Sequence, residues 1–307
     1  MNLNRTEQAI ALLHLPLGDQ DTRNAKPLSL KEWNQLGNWL KTRNLEPSEF
    51  LLSSREKLLS EFTDDSAYIE RIVCLLNRGT ALGINLERWE RAGVWLLFRA
   101  NKKDYPAVLR KRLKLRAPII FFGVGDLNLV NEKFVGIVGS RNPAKVDLEF
   151  TESFTKFLIS KSYNVVSGGA KGIDLKATLT SIENGGKSVV FLGDSLLKRS
   201  VSPQFREMLQ EKKLLLLSSS NPESPFHVGL AMQRNKYIYC MAEKVMIVTC
   251  TVSKGGTWEG AIENYKNKWV EMFVHQSEDE NTGNNMLEKY DARPLKNDIN
   301  SFNEIFS

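Results

Sequence analysis

Residues 134–176 constrain this chain more than any other stretch, because they hold two places where an apolar run must turn straight into a helix. The first reads FVGIVGSRN (134–142) and the second NVVSGGAKGIDLK (164–176). Val135, Ile137 and Val138 in one, and Val165 and Val166 in the other, are short runs of the kind found in parallel sheets buried on both faces. Each stops at small residues: Gly139-Ser140-Arg141, and Ser167-Gly168-Gly169 followed by Lys171-Gly172. Backbone N–H groups at such a turn, where a helix begins, point outward and attract anions. Glycines alone would serve the turns. Two corners, each carrying a base, point further, to a phosphate-binding crevice.

Two common phosphate ligands are excluded at the residue level. A dinucleotide site needs G-x-G-x-x-G after the first strand and an acidic residue closing the second. Here the first turn reads GIVGSR (136–141) and the second strand ends at Ser167. The pattern G-x-x-x-x-G-K-[ST] of the nucleotide-triphosphate loop is also missing. Further strand-like runs lie near Val189, Leu214, Val245 and Val270, separated by helical patterns over 146–162, 175–183, 203–210 and 231–241. Strands alternating with helices predict an α/β fold, a Rossmann-like parallel sheet with flanking helices and right-handed crossovers. A third glycine-bearing helix start, Lys254-Gly255-Gly256-Thr257, falls after the Val245 run and is the same kind of phosphate site.

Composition matters here for what it excludes. Hydrophobic residues at 42% and charged residues at 25% fit a soluble globular chain. No apolar run approaches the roughly 20 residues of a membrane span, and MNLNRTEQ is no signal peptide, so the expected place is the cytoplasm. Cys74, Cys240 and Cys250, and His14, His227 and His275, are scattered, so no metal, disulfide or cofactor is expected. The net charge of +6 is uneven: 278–307 carries seven acidic and three basic residues, leaving +10 on the remainder. That balance agrees with a nucleic-acid partner. It also predicts an acidic, flexible tail over 278–307, with Phe302 and Phe306 as a docking end.

Residues 1–92 read as a small helical domain. Helices are expected over 6–15, after the capping box Ser29-Leu30-Lys31-Glu32, from Ser48, over 66–76 with Gly79 as its stop, and over 85–92. A lead-in over 93–130 follows, with strands at 94–98 and 119–122. Between them, 99–116 holds eight bases against the single acid Asp104, which suits either a solvated helix face or a DNA-tracking surface. The sheet region closes the second domain, 93–277.

Five segments taken in order, GIVGSRN, VVSGGAKGID, FLG, QRNKYI and SKGGTWEGA, resemble the DNA-processing protein A (DprA/Smf) family, as does the upstream DYPAVLRKRLKLRAPIIFFGVGD. The likeness runs over about 93–275. It implies a Rossmann-like domain that binds single-stranded DNA without catalytic turnover. It also implies a homodimer that helps load the RecA-type recombinase in DNA uptake, recombination or a related defence role. A helical domain of the sterile-alpha-motif (SAM) kind stands at the amino end in that family. The winged helix that many members carry after the sheet is not expected here. By the same likeness Ser140 and Arg141 meet DNA phosphate, Lys171 and the N–H groups of 169–172 form a second cradle, and Asp174 caps the next helix. Lys176 stands near the family's Ala-His and adds a phosphate contact. Arg234 and Asn235 match an Arg-Asn pair, which fits either the crevice or an internal hydrogen bond. Phe226 or Tyr237 is a base platform or a core residue. Two other readings stay open: a sensor of a nucleotide-derived signal, and an enzyme resembling the cytokinin-activating phosphoribohydrolases, with Glu259 as its acid.

Overall fold

Capping residues set where the first helices begin. Asn4 and Glu7 form a capping box ahead of Arg5–His14, and Ser29 and Glu32 form another ahead of Leu30–Thr42. Trp33, Leu36 and Leu40 then share one buried face. Asp65 caps Ser66–Leu76, which buries Ile72, Leu75 and Leu76. Ser48 starts no α-helix; it lies in a single 3₁₀ stretch, Pro47–Leu51. Gly79 is not a stop but the first residue of Gly79–Arg91, and the preceding Arg78 turns inward to donate to the carbonyls of Leu12, Leu15 and Leu75.

The computed structural model describes residues 1–18, 26–276 and 283–306. It divides into two compact units, Met1–Tyr105 with Leu115–Phe121, and Pro106–Lys114 with Phe122–Ser307. The first unit therefore runs past the expected limit at 92 and takes in β1 (Trp95–Phe98). The basic lead-in is shared between the units, and two of its arginines are structural. Arg99 donates to Ala117 O at 2.8 Å, and Arg112 donates to Cys240 O at 3.0 Å and Ala242 O at 2.5 Å. Those two bases are not part of a DNA-tracking face.

The second unit carries β2 (Ile120–Gly125, entering at Phe122), β3 (Phe134–Val138), β4 (Asn164–Ser167), β5 (Ser188–Leu192), β6 (Leu214–Ser218), β7 (Lys244–Ile247), β8 (Glu271–His275) and β9 (Ala292–Leu295). They lie in the order β2-β6-β5-β4-β3-β7-β8-β9, antiparallel only between β2 and β6. The chain enters the parallel part at β3, steps outward through β4, β5 and β6, then returns to the other flank of β3 with β7. The direction of winding reverses between β3 and β7, the place where open α/β sheets bind ligands outside the strands' carboxyl ends. Every residue of β3, β5 and β6 is buried, as double-sided cover requires.

The expected mobile tail is corrected for 283–306; its residues 278–282 and 307 lie outside the described residues. β9 pairs with β8 in parallel, and Pro294 sits on this edge strand, where a missing N–H costs no ladder bond. Asp298 then caps Ile299–Asn303. Phe302, 2% exposed, packs edge-on against Phe150 and Phe154 at ring distances of 5.6 and 5.2 Å, and Ile305 is fully buried beside them. Burying Phe302 alone contributes on the order of 1.5–3 kcal/mol. The docking end expected at Phe302 and Phe306 is thus present, packed on a helix far earlier in the chain.

Candidate nucleic-acid interface

The loops after β3, β4, β5 and β7 meet around two adjoining cavities of about 370 and 520 Å³. They share Arg141, Ala170, Phe226, Ala231 and Arg234. Gly139, Ser140, Lys254, Gly255, Gly256 and Thr257 line the first, and Gly168 and Lys171 the second. Twelve of the expected residues thus come together or frame the corner: these eight, the shared Arg141 and Arg234, Asn235 on the wall of the first cavity, and Gly169, whose carbonyl accepts from Arg199 Nη1 at 3.0 Å.

The floor of the crevice is a set of satisfied internal contacts. Arg234, 8% exposed, donates to Asp174 Oδ2 at 3.4 Å, and Asp174 is 4% exposed. Burial pushes the Asp174 carboxyl up, against the opposing pull of Arg234. Asp174 also accepts from Ala170 N at 3.5 Å, so it ties the turn before its helix, Ile173–Glu183. The glycine before it in the second corner is dictated by this pair: a Cβ on Gly168 would fall 1.6 Å from Arg234 Nη1. Gly172 joins the two corners, with φ +90° and a virtual Cβ 2.4 Å from Ser140 O. Asn235 donates to Gly256 O at 2.7 Å, so of its two readings the internal hydrogen bond between helix and loop is the one observed.

Two expected phosphate residues face elsewhere. Ser167 is fully buried and its hydroxyl donates to Ile137 O at 2.6 Å. Lys176 lies one turn too far along its helix and pairs with Glu152 at 2.5 Å. Tyr237 is core, 1% exposed, with its hydroxyl on Ser219 Oγ at 3.2 Å. Phe226 is the opposite case: 54% exposed, it lies against the Arg141 guanidinium at 5.3 Å and lines both cavities.

The rim carries the free charge. Arg141, Lys171 and Lys254 are exposed, and none joins an ion pair among the described residues. The helix Gly255–Asn267 has no side-chain cap and no acid in its first turn, so its N–H groups remain open to an anion. Across both cavities six bases face two carboxylates, Asp174 and Asp194.

The family model for DNA recombination-mediator protein A matches residues 96–306. The chain belongs to that family. Among curated relatives, DNA processing protein DprA of Bacillus subtilis is 30% identical over 154 residues, 48% of this chain and 50% of that protein. Its counterpart in Streptococcus pneumoniae is 32% identical over 155 residues, 48% of this chain and 53% of that protein. The match thus spans about half the length of these curated relatives. In structure, the pneumococcal protein superposes with a TM-score of 0.70 at 18% identity, covering 96% of this chain and 95% of that one, which speaks for the fold. DNA processing protein A of Helicobacter pylori, whose structure was described for its single-stranded DNA binding mode, gives 0.58 at 25% identity, covering 69% and 95%.

Lys198 and Arg199, on the wall of the second cavity, are not among the residues that the sequence singles out. Their signal was a basic pair shortly after the strand end at Leu192. Glu259, on which an enzymatic reading depends, is exposed and lines neither cavity. Among the described residues no cluster of His, Cys, Asp or Glu could hold a metal, and no helix is long and apolar enough to cross a membrane.

Proposed function

We propose that the crevice binds single-stranded DNA through its phosphates, without regard to base sequence, and that the protein acts in DNA recombination. The observation carrying this is the six-to-two excess of bases over carboxylates around two connected cavities at the reversal point of the sheet. Arg141 supplies a planar guanidinium that grips two phosphate oxygens at once, Ser140 and Lys171 support it, and the open helix end at Gly255 takes the neighbouring phosphate. Phe226 offers an exposed ring on which any base can stack. Delivery of the strand to a RecA-type recombinase, a homodimeric state, a cytoplasmic setting and a role in DNA uptake or phage defence belong to the same proposal.

Fluorescence anisotropy with labelled oligonucleotides tests it. Oligo-dT and oligo-dA of equal length should bind within about tenfold of one another, and log affinity should fall with log salt by about 0.7 per neutralised phosphate. Absence of binding at low salt, or a strict sequence requirement, overturns the proposal.

A further inference from the structure

The first cavity holds a polar group that continuous-strand binding leaves unused. Tyr239 lines it, is 1% exposed, and its hydroxyl has no hydrogen-bond partner. A buried hydroxyl without a partner is costly, and such groups in native structures commonly await a ligand or water. The same cavity is bounded by the uncapped start of the 13-residue helix Gly255–Asn267 and by Lys254 and Arg141. Its remaining carboxylate, Asp174, is already engaged by Arg234.

We infer that this cavity takes a nucleotide phosphomonoester, the dianionic end group of a strand or of a free mononucleotide, with Tyr239 donating to one of its oxygens. This assignment rests on the crevice being a phosphate site and goes further in naming which phosphate. An internal phosphodiester carries one charge and two free oxygens, whereas a monoester carries nearly two charges and three acceptors at neutral pH. A helix N-terminus, two bases and a buried hydroxyl donor form a set that matches the latter. Burial pushes the Tyr239 hydroxyl up, so it stays protonated and can only serve such an oxygen as a donor. The apolar lip of the cavity, Phe226, Val228 and Met232, is exposed and would lie against the attached base or sugar.

The test compares oligo-dT ending in 5′-phosphate, in 3′-phosphate or in hydroxyls only, a covalently closed single-stranded circle, and free thymidine monophosphate. Wild-type protein should favour one phosphorylated end over hydroxyl ends by about tenfold, one hydrogen bond to a charged group. Tyr239→Phe should bring that ratio to near one. Because the lost hydroxyl has no protein partner, its melting temperature should not fall, which separates lost recognition from lost folding. Thymidine monophosphate that binds wild type but not Tyr239→Phe identifies a free nucleotide as the source. An end preference without such binding identifies the strand terminus. No end preference together with no mononucleotide binding overturns this inference, even if circles bind well. Failure of circles to bind while phosphorylated ends do would instead overturn the proposed internal-strand function and leave this inference standing.

Discussion

The floor and the rim of the crevice are built from the same residue types and do opposite work. On the floor, Arg234 is buried against Asp174, Asn235 holds Gly256 O, and Ser167 holds Ile137 O. On the rim, Arg141, Lys171 and Lys254 stand exposed and unpaired among the described residues. A base with a buried carboxylate partner keeps the two corners in register. A base without one is left to meet a phosphate. Position relative to the last strand residue decides which it is: Arg141 is three residues past β3, while Arg234 lies inside the helix Val228–Met241 and points back under the loops.

Breaking the floor should give the largest effect. Arg234→Ala would leave Asp174 buried without its partner, a loss of about 3–5 kcal/mol in folding stability by urea denaturation. DNA binding would fall with it. The double change Asp174→Leu with Arg234→Met should recover much of the stability, because no charge is then stranded. If Arg234→Ala keeps the wild-type midpoint and loses only DNA, Arg234 belongs to the rim and the comparison collapses.

On the rim the order of effects reverses. Arg141→Ala should leave the midpoint unmoved but weaken oligo-dT binding about ten- to a hundredfold, the worth of a charge-assisted hydrogen bond of about 1.5–3 kcal/mol. The salt slope should drop by about 0.7. Unchanged affinity would move the site away from β3. Phe226→Ala should cost less, about five- to tenfold, through lost base stacking. Phe226→Tyr should restore it, whereas restoration by Phe226→Leu would reduce the ring to a mere apolar contact.

These contrasts also show what could be read from residues alone. The α/β alternation and the three glycine-bearing helix starts were visible because apolar runs bounded by small residues can adopt few other structures. Which bases are spent was not visible, since the partners are remote: Asp174 to Arg234 spans 60 residues and Glu152 to Lys176 spans 24. In the last segment the docking end at Phe302 and Phe306 was legible, whereas the ordered path leading to it was not. Its acidic composition argued for solvent, but Asp298 followed by Phe302, Ile305 and Phe306 is a capped apolar turn, and Phe150, Phe154 and Phe157 supply the surface it needs. Lys198 and Arg199 are not legible in the sequence, because a basic pair on a five-residue helix resembles any solvated face.

The smallest expected effect decides whether the division between floor and rim is complete. Lys176 resembles a rim residue in sequence, a lysine just past the second corner, yet it is engaged by Glu152, which Lys156 also holds. Hydrogen bonds from Lys156 and then Lys176 lower the Glu152 carboxyl to about 2. A depressed folded value means that the contribution is present above the unfolded glutamate range near about 4.3 and is lost as pH falls toward the folded value. Wild type and Lys176→Ala should therefore differ slightly in melting temperature at neutral pH and converge as the pH falls through about 2. Exposed pairs of this kind contribute little, and a lysine already paired has little left for phosphate, so oligo-dT affinity at pH 7 should change less than about threefold. A tenfold loss in Lys176→Ala would show that DNA draws Lys176 away from Glu152. The rim would then extend one helical turn along Ile173–Glu183, and Glu152→Gln, by releasing the lysine, should strengthen binding.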